Sequence, residues 1–253
     1  MAEQFRTLAD YLEKVGKKQG AQLTRDLAQS LLNADLITKN LPVRIVDEDG
    51  KTQAEVSRSS EALRDLRKET FDLLAIIREP TAEERQEIEK RDGVFLPVEA
   101  KSLETVYSEN SEYFRYVNPS ESLRSYTPPQ AFEVAIFPNK LKIPRSNNKS
   151  QENQLRLTED YSKEQIEPEF PEAKAIMLPA TGLVQIDIGY QKRNNGKVLI
   201  PDFWVRALDT TVDSYVARVG RFHPDYGLGV HYWDAGHGDP HVWALPAVVF
   251  LRK

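Results

Sequence analysis

Residues 231–241 read HYWDAGHGDPH, and three of the chain's four histidines fall within them; the fourth is His223. In an extended chain, residues two apart share a face. His237, Asp239 and His241 would then offer two imidazoles and a carboxylate together, with His231 or His223 completing the set. Zinc accepts such ligands and keeps a fourth position for water, which is the equipment of a metal-dependent hydrolase. No general base can be named beside them.

The same stretch also reads as a polar turn, because Gly236, Gly238, Asp239 and Pro240 are turn formers. As the tip of a β-hairpin it would set Asp234 opposite His241 and Tyr232 opposite Trp243, the carboxylate fixing the imidazole in one tautomer. All three tryptophans (Trp204, Trp233, Trp243) and Tyr215, Tyr226 and Tyr232 lie nearby. Rigid aromatics with polar neighbours suit a recognition surface, and they fill a β core equally well. Tyr232, Trp233, Trp243, His223 and Asp234 are therefore expected to form the ligand-binding surface of a binding or interaction protein. Its ligand would be a protein or a small molecule, and no cofactor is required. The zinc hydrolase is the alternative.

Two short resemblances accompany these readings. Asp239-Pro240-His241-Val242-Trp243 resembles the Asp-Pro-His-x-Trp motif of periplasmic zinc- and manganese-binding proteins of transporters, which implies His241 as a ligand; it ends at those five positions. Glu99-Ala100-Lys101 with Asp92 resembles the acid and Glu-x-Lys arrangement of a large nuclease superfamily, which implies carboxylates on Mg²⁺ and a lysine on the developing charge. Asp47-x-Asp49-Gly50 begins like a calcium loop but lacks the remaining ligands. Phosphate loops, dinucleotide fingerprints, nucleophile elbows and His-Glu-x-x-His helices are missing.

The totals narrow the classes further. A chain of 253 residues can bury a core without staples, and without cysteine it has neither disulfides nor thiolate chemistry. The net charge of -5 speaks against general nucleic-acid binding. A local polyanion surface could still form from Lys140, Lys142, Arg145, Lys149, Lys192, Arg193 and Lys197. No stretch approaches the ~20 apolar residues of a membrane span, and the charged N-terminus lacks a leader's apolar run. A cytoplasmic protein is expected.

The elements that must position these residues change character along the chain. Apolar spacing predicts two helices within residues 1–37, a hairpin over 43–56 around Asp49-Gly50, and helix over 60–91 interrupted by Pro80. Thr81 and Glu84 have capping-box spacing. Short helical pieces are expected at 102–108 and 111–117, and the Ser- and Pro-rich segment before Ala131 reads as a boundary. Beyond it the period is two, and 183–192 alternates cleanly enough to predict a half-buried strand. The last strand is apolar on both faces, with Pro246 at a bulge or edge. Residues 144–172 are almost wholly polar and read as a long surface excursion with room for a short helix. The expected fold is α+β: a mainly helical region at 1–128, then an antiparallel β-sandwich or barrel-like domain at 129–253.

Overall fold

The computed structural model describes residues 43–46, 52–56 and 61–252, other than 119, 213, 214, 222, 224 and 226. The helices expected within residues 1–37 and the Asp49-Gly50 turn lie outside the described residues. The chain divides into two compact units, Met1–Ser60 and Glu61–Lys253. In the first, β1 (Val43–Val46) and β2 (Thr52–Val56) pair antiparallel, Val43 facing Val56, with the register shifting between Ile45 and Val46.

The second unit is α+β. Its helix α1 (Glu61–Leu74) buries Leu63 and Leu74 from the apolar stripe, and the chain then turns into β3 (Ile77–Arg78). Helix α2 (Ala82–Lys90) starts on the expected capping box: the Thr81 hydroxyl accepts the Glu84 N–H at 3.2 Å, and the Glu84 carboxylate accepts the Thr81 N–H at 2.7 Å. Then come β4 (Val94–Val98), α3 (Leu103–Glu109), β5 (Phe114–Val117), α4 (Glu121–Ser125) and β6 (Phe132–Ile136). The helix expected at 111–117 is only a single 3₁₀ turn at 111–113, after which Phe114 enters a strand.

Two segments differ from their patterns. The polar stretch 144–172 contains α5 (Gln151–Tyr161), which runs on into a π-helical turn at 162–166, then turns toward β7 (Ala173–Ile176). Its polar residues are used inside the protein. Gln151 Nε2 donates to the Ala207 carbonyl at 2.8 Å, and Gln154 Nε2 donates to the Ser146 carbonyl at 2.8 Å and the Val242 carbonyl at 3.1 Å. These amides satisfy sheet carbonyls that burial would otherwise leave unmet. The supposed strand 183–192 is α6 (Ala180–Arg193), buried on nearly every side. An apolar run buried all round carries no reliable period, so its alternation was fortuitous.

The remaining strands are β8 (Trp204–Val212), β9 (Tyr215–Gly220), β10 (Leu228–Asp234), β11 (Val242–Trp243) and β12 (Ala247–Leu251). They complete two open sheets. One has the order β11-β8-β9-β10-β5, antiparallel in its middle but parallel where β11 meets β8 and β5 meets β10. The other has the order β3-β12-β6-β4, with β7 also on β12. Neither closes into a barrel. Nor is this a simple sandwich, because α6 packs on β4 of one sheet and on β8 and β9 of the other. Strands on either side of residue 128 pair within both sheets, so the expected boundary there runs through hydrogen-bonded structure. Among the described residues no helix is long and apolar enough to cross a membrane.

The helix between the sheets carries a charge. Asp187 and Arg221 are 0% and 2% exposed, and their groups meet at 3.0 and 2.6 Å. The carboxylate also accepts the N–H groups of Leu199 and Ile200 and the Gln191 amide, while Arg221 donates to the Ile200 carbonyl. Removing one partner of such a pair strands a buried charge, at a cost of about 3–5 kcal/mol. Arg221→Ala is therefore expected to lose stability on that scale in urea unfolding. A loss under ~1 kcal/mol would show that the pair is not what holds α6.

A second buried acid is only partly satisfied. Asp209 accepts the Ala180 N–H at the start of α6 through one oxygen, and its other oxygen has no partner among the described residues. Burial pushes its carboxyl up to about 7, against the opposing pull of the Ala180 N–H and the Arg67 guanidinium. Tyr126, whose hydroxyl is also raised by burial and by Asp209, faces the same group. The folded protein thus holds this proton where the unfolded chain has released it. Its contribution is full below the ordinary aspartate value near 3.8 and is lost as pH rises toward about 7. Between pH 5 and 7 the wild type should lose more stability than Asp209→Asn, measured by paired urea titrations. Parallel pH profiles would refute the assignment.

Candidate functional site

One face of the sheet β11-β8-β9-β10-β5 carries Val205, Ala217, Val219 and Val230 into the core. The register sends different residues to the opposite face. Trp204 opposes Gly220, Arg206 opposes Arg218, and Arg218 opposes His231; Gly229 lies between Gly220 and Tyr116. The short edge strand β5 thereby brings a tyrosine beside a histidine more than a hundred residues away.

These side chains form a ladder of rings and cations. Tyr116 and His231 stack with centroids 4.5 Å apart and planes at 26°. The His231 ring meets Trp204 at 5.0 Å, edge to face. The Arg218 guanidinium lies 4.8 Å from the Trp204 ring and 4.7 Å from the Trp233 ring, sandwiched between indoles. Arg218 Nη1 reaches Asp239 Oδ2 at 3.2 Å. Burial, aided by the Arg218 charge, lowers the His231 pKa, so the ring in the stack is the neutral form at neutral pH.

At the Tyr116 end the ladder borders a cavity of about 480 Å³, walled by Arg115, Tyr116, Trp204, Arg221 and His231. Its remaining wall is glycine. A Cβ on Gly229 would sit 2.9 Å from Trp204 and 3.0 Å from His231, and one on Gly227 would sit 2.8 Å from the Arg115 nitrogen. Any side chain at these two positions would push the stack apart or fill the space.

The stretch 231–241 is not a hairpin tip. Strands β10 and β11 lie at different places in the sheet, separated by β9 and β8, so Asp234 faces Tyr215 instead of His241, and Tyr232 faces Ala217 instead of Trp243. The chain must cross two strands to pass from one to the other. Arg206, 1% exposed, holds that crossing: it donates to the carbonyls of Asp234 at 2.9 Å, His237 at 3.0 Å and Lys149 at 3.2 Å. Its own desolvation lowers the guanidinium pKa to about 10.

The residues expected as ligands are thereby dispersed or engaged. His231 is in the ring ladder. Exposed His237 places Nδ1 3.1 Å from Asp234 Oδ1, which also accepts the Gly236 N–H. Asp239 is held by Arg218 on one oxygen and by the His241 N–H, at 2.7 Å, on the other. The His241 side chain is exposed, and its carbonyl accepts the Trp204 N–H. His223 lies in the loop after β9, 3.3 Å from Asp225. Among the described residues no group of three or more His, Cys, Asp or Glu is placed to hold a metal ion. Of the expected ligand-binding residues, Trp233 belongs to the ladder, Trp243 lies under Lys142, and half-exposed Tyr232 meets Tyr215 edge to face at 5.4 Å.

The other singled-out groups are also separated. Lys101 bridges Glu99 at 2.6 Å and Glu109 at 2.8 Å on one cavity, whereas Asp92 borders another. Sequence reasoning missed Tyr116, Arg115, Arg206 and Arg218. A signal existed for the last two: each is a guanidinium inside an apolar strand, two residues from an aromatic or an apolar partner on the same face. No protein-family model matches this chain, and neither a curated protein nor a solved structure matches it.

With these imidazoles and carboxylates engaged or apart, zinc has no assembled set to prefer. Protein never exposed to a nickel column is expected to show no change in Tm with equimolar zinc. A rise of more than ~2 °C, with one metal per chain, would revive the metal site.

Proposed function

We propose that the protein is a small-molecule binding protein whose ligand is a planar aromatic carrying an acidic group. The observation that carries this reading is the Tyr116–His231 stack at the mouth of a 480 Å³ cavity that Arg115 and Arg221 also line. That volume lies within the range of small-ligand pockets. A stacked ring pair offers a further ring a π-face, worth about 1–3 kcal/mol per base in comparable stacking sites. Arg115 supplies positive charge from the exposed edge strand, and the glycines at 227 and 229 keep the slot thin. The reading requires no catalytic group and no cofactor, and it includes the cytoplasmic location expected from the sequence.

Titration calorimetry with indole-3-acetate, benzoate and adenosine monophosphate tests it. At least one should bind saturably, and Tyr116→Ala should weaken that binding by about tenfold or more at unchanged Tm. Affinity for an anion should rise as pH falls through the lowered His231 pKa, since protonation adds a charge beside the site. Absence of saturable heat with all three probes, or equal affinity in Tyr116→Ala, would sink the proposal.

A further inference from the structure

A larger cavity, about 570 Å³, opens on the other side of the β8 start, where Lys140, Lys142 and Lys197 border it with Asp92, Asp202 and Phe203. Of the seven basic residues that suggested a polyanion surface, only these three line it. Lys192 reaches Asn110 at 2.7 Å in a different cavity, and Arg193 is spent on the Phe95 carbonyl at 2.5 Å.

Four other lysines among the described residues are neutralised locally. Lys68, Lys90, Lys101 and Lys163 each pair with a neighbouring carboxylate. Among the described residues, Lys140, Lys142 and Lys197 have no ion pair, nor do Asp92 and Asp202. In a chain with 39 acidic and 34 basic side chains, a cavity with three ammoniums against two carboxylates is locally positive where the chain as a whole is negative.

Their backbones are fixed. The Lys140 N–H closes a turn on the Phe137 carbonyl at 2.8 Å, and the Lys197 N–H closes one on the Asn194 carbonyl at 3.0 Å. That second turn has Asn195 at φ 53° and Gly196 at φ 83°. The Lys142 ammonium rests 4.2 Å from the Phe203 ring and 5.1 Å from the Trp243 ring. Rings hold such a charge in place without cancelling it.

We infer that this cavity is a second binding site, for a small phosphate ester of a polyhydroxy compound. The ammoniums match a dianionic phosphate. Asp92 and Asp202 would repel that phosphate but accept hydrogen bonds from hydroxyls, which gives the ligand two chemically distinct ends.

The test is amide-detected NMR with glucose 6-phosphate, ribose 5-phosphate, glucose and inorganic phosphate, each to about 10 mM, which covers dissociation constants into the millimolar range. A sugar phosphate should shift the amides of Lys140, Gly196 and Lys197 saturably, more tightly than glucose or phosphate alone. Lys140→Gln with Lys197→Gln should weaken it about tenfold or more at unchanged Tm. Asp202→Asn should reduce the preference for the sugar phosphate over inorganic phosphate. No saturable shift at these amides with either ester, or equal affinity for ester and phosphate, overturns the inference. So does a response to heparin or an oligonucleotide with none to the esters. Because the wild-type shifts report directly, a variant that fails to fold leaves the test standing.

Discussion

A charge pair with almost no access to water is the constraint on which the architecture turns. Asp187 sits on the helix that separates the two sheets, and Arg221 follows the last residue of β9. Desolvating two ions costs several kcal/mol each, which is recovered only when every donor and acceptor is met. Here Leu199, Ile200 and Gln191 meet them, so the pair ties helix, sheet end and the loop before β8 to one another. Leucine pairs of the same volume could hold the three elements together but would tolerate sliding. The ion pair sets the register.

Cations do comparable work on the other side of the sheet. Arg206 ties two carbonyls of the crossing, those of Asp234 and His237, to that of Lys149, and Arg218 spaces two indoles while holding Asp239. Of the residues that look like metal ligands in sequence, Asp239 is held by Arg218, and the His237 backbone carbonyl is held by Arg206. His231 faces a cavity, and it does so as a neutral ring.

Much of this was legible and some of it could not be. The capping box at Thr81, the strand at 132–136, the strands from 204 to 234 and the doubly buried β12 follow from local periodicity, and each is present. What failed were statements that need partners. The 183–192 run alternates, but burial on all sides removed the polar face that tells helix from strand. Gln151 and Gln154 look solvent-bound until the carbonyls they serve are known. The aromatic and histidine content of the site was visible near 231, yet Tyr116 could not be, because nothing local says that residues 114–117 add a parallel edge strand. The helical reading of the first 37 residues lies outside the described residues.

Phe203 and Trp204 are neighbours in the chain, and strand geometry turns their side chains to opposite faces. Phe203 borders the lysine-rich cavity and Trp204 borders the aromatic one. Consecutive residues thus line the two cavities. Gly220 presses against Phe203, since even a methyl there would come within 2.2 Å of the Phe203 carbonyl. A change at 203, 204 or 220 is therefore felt in both cavities at once, and neither can be reshaped at this point without disturbing the other.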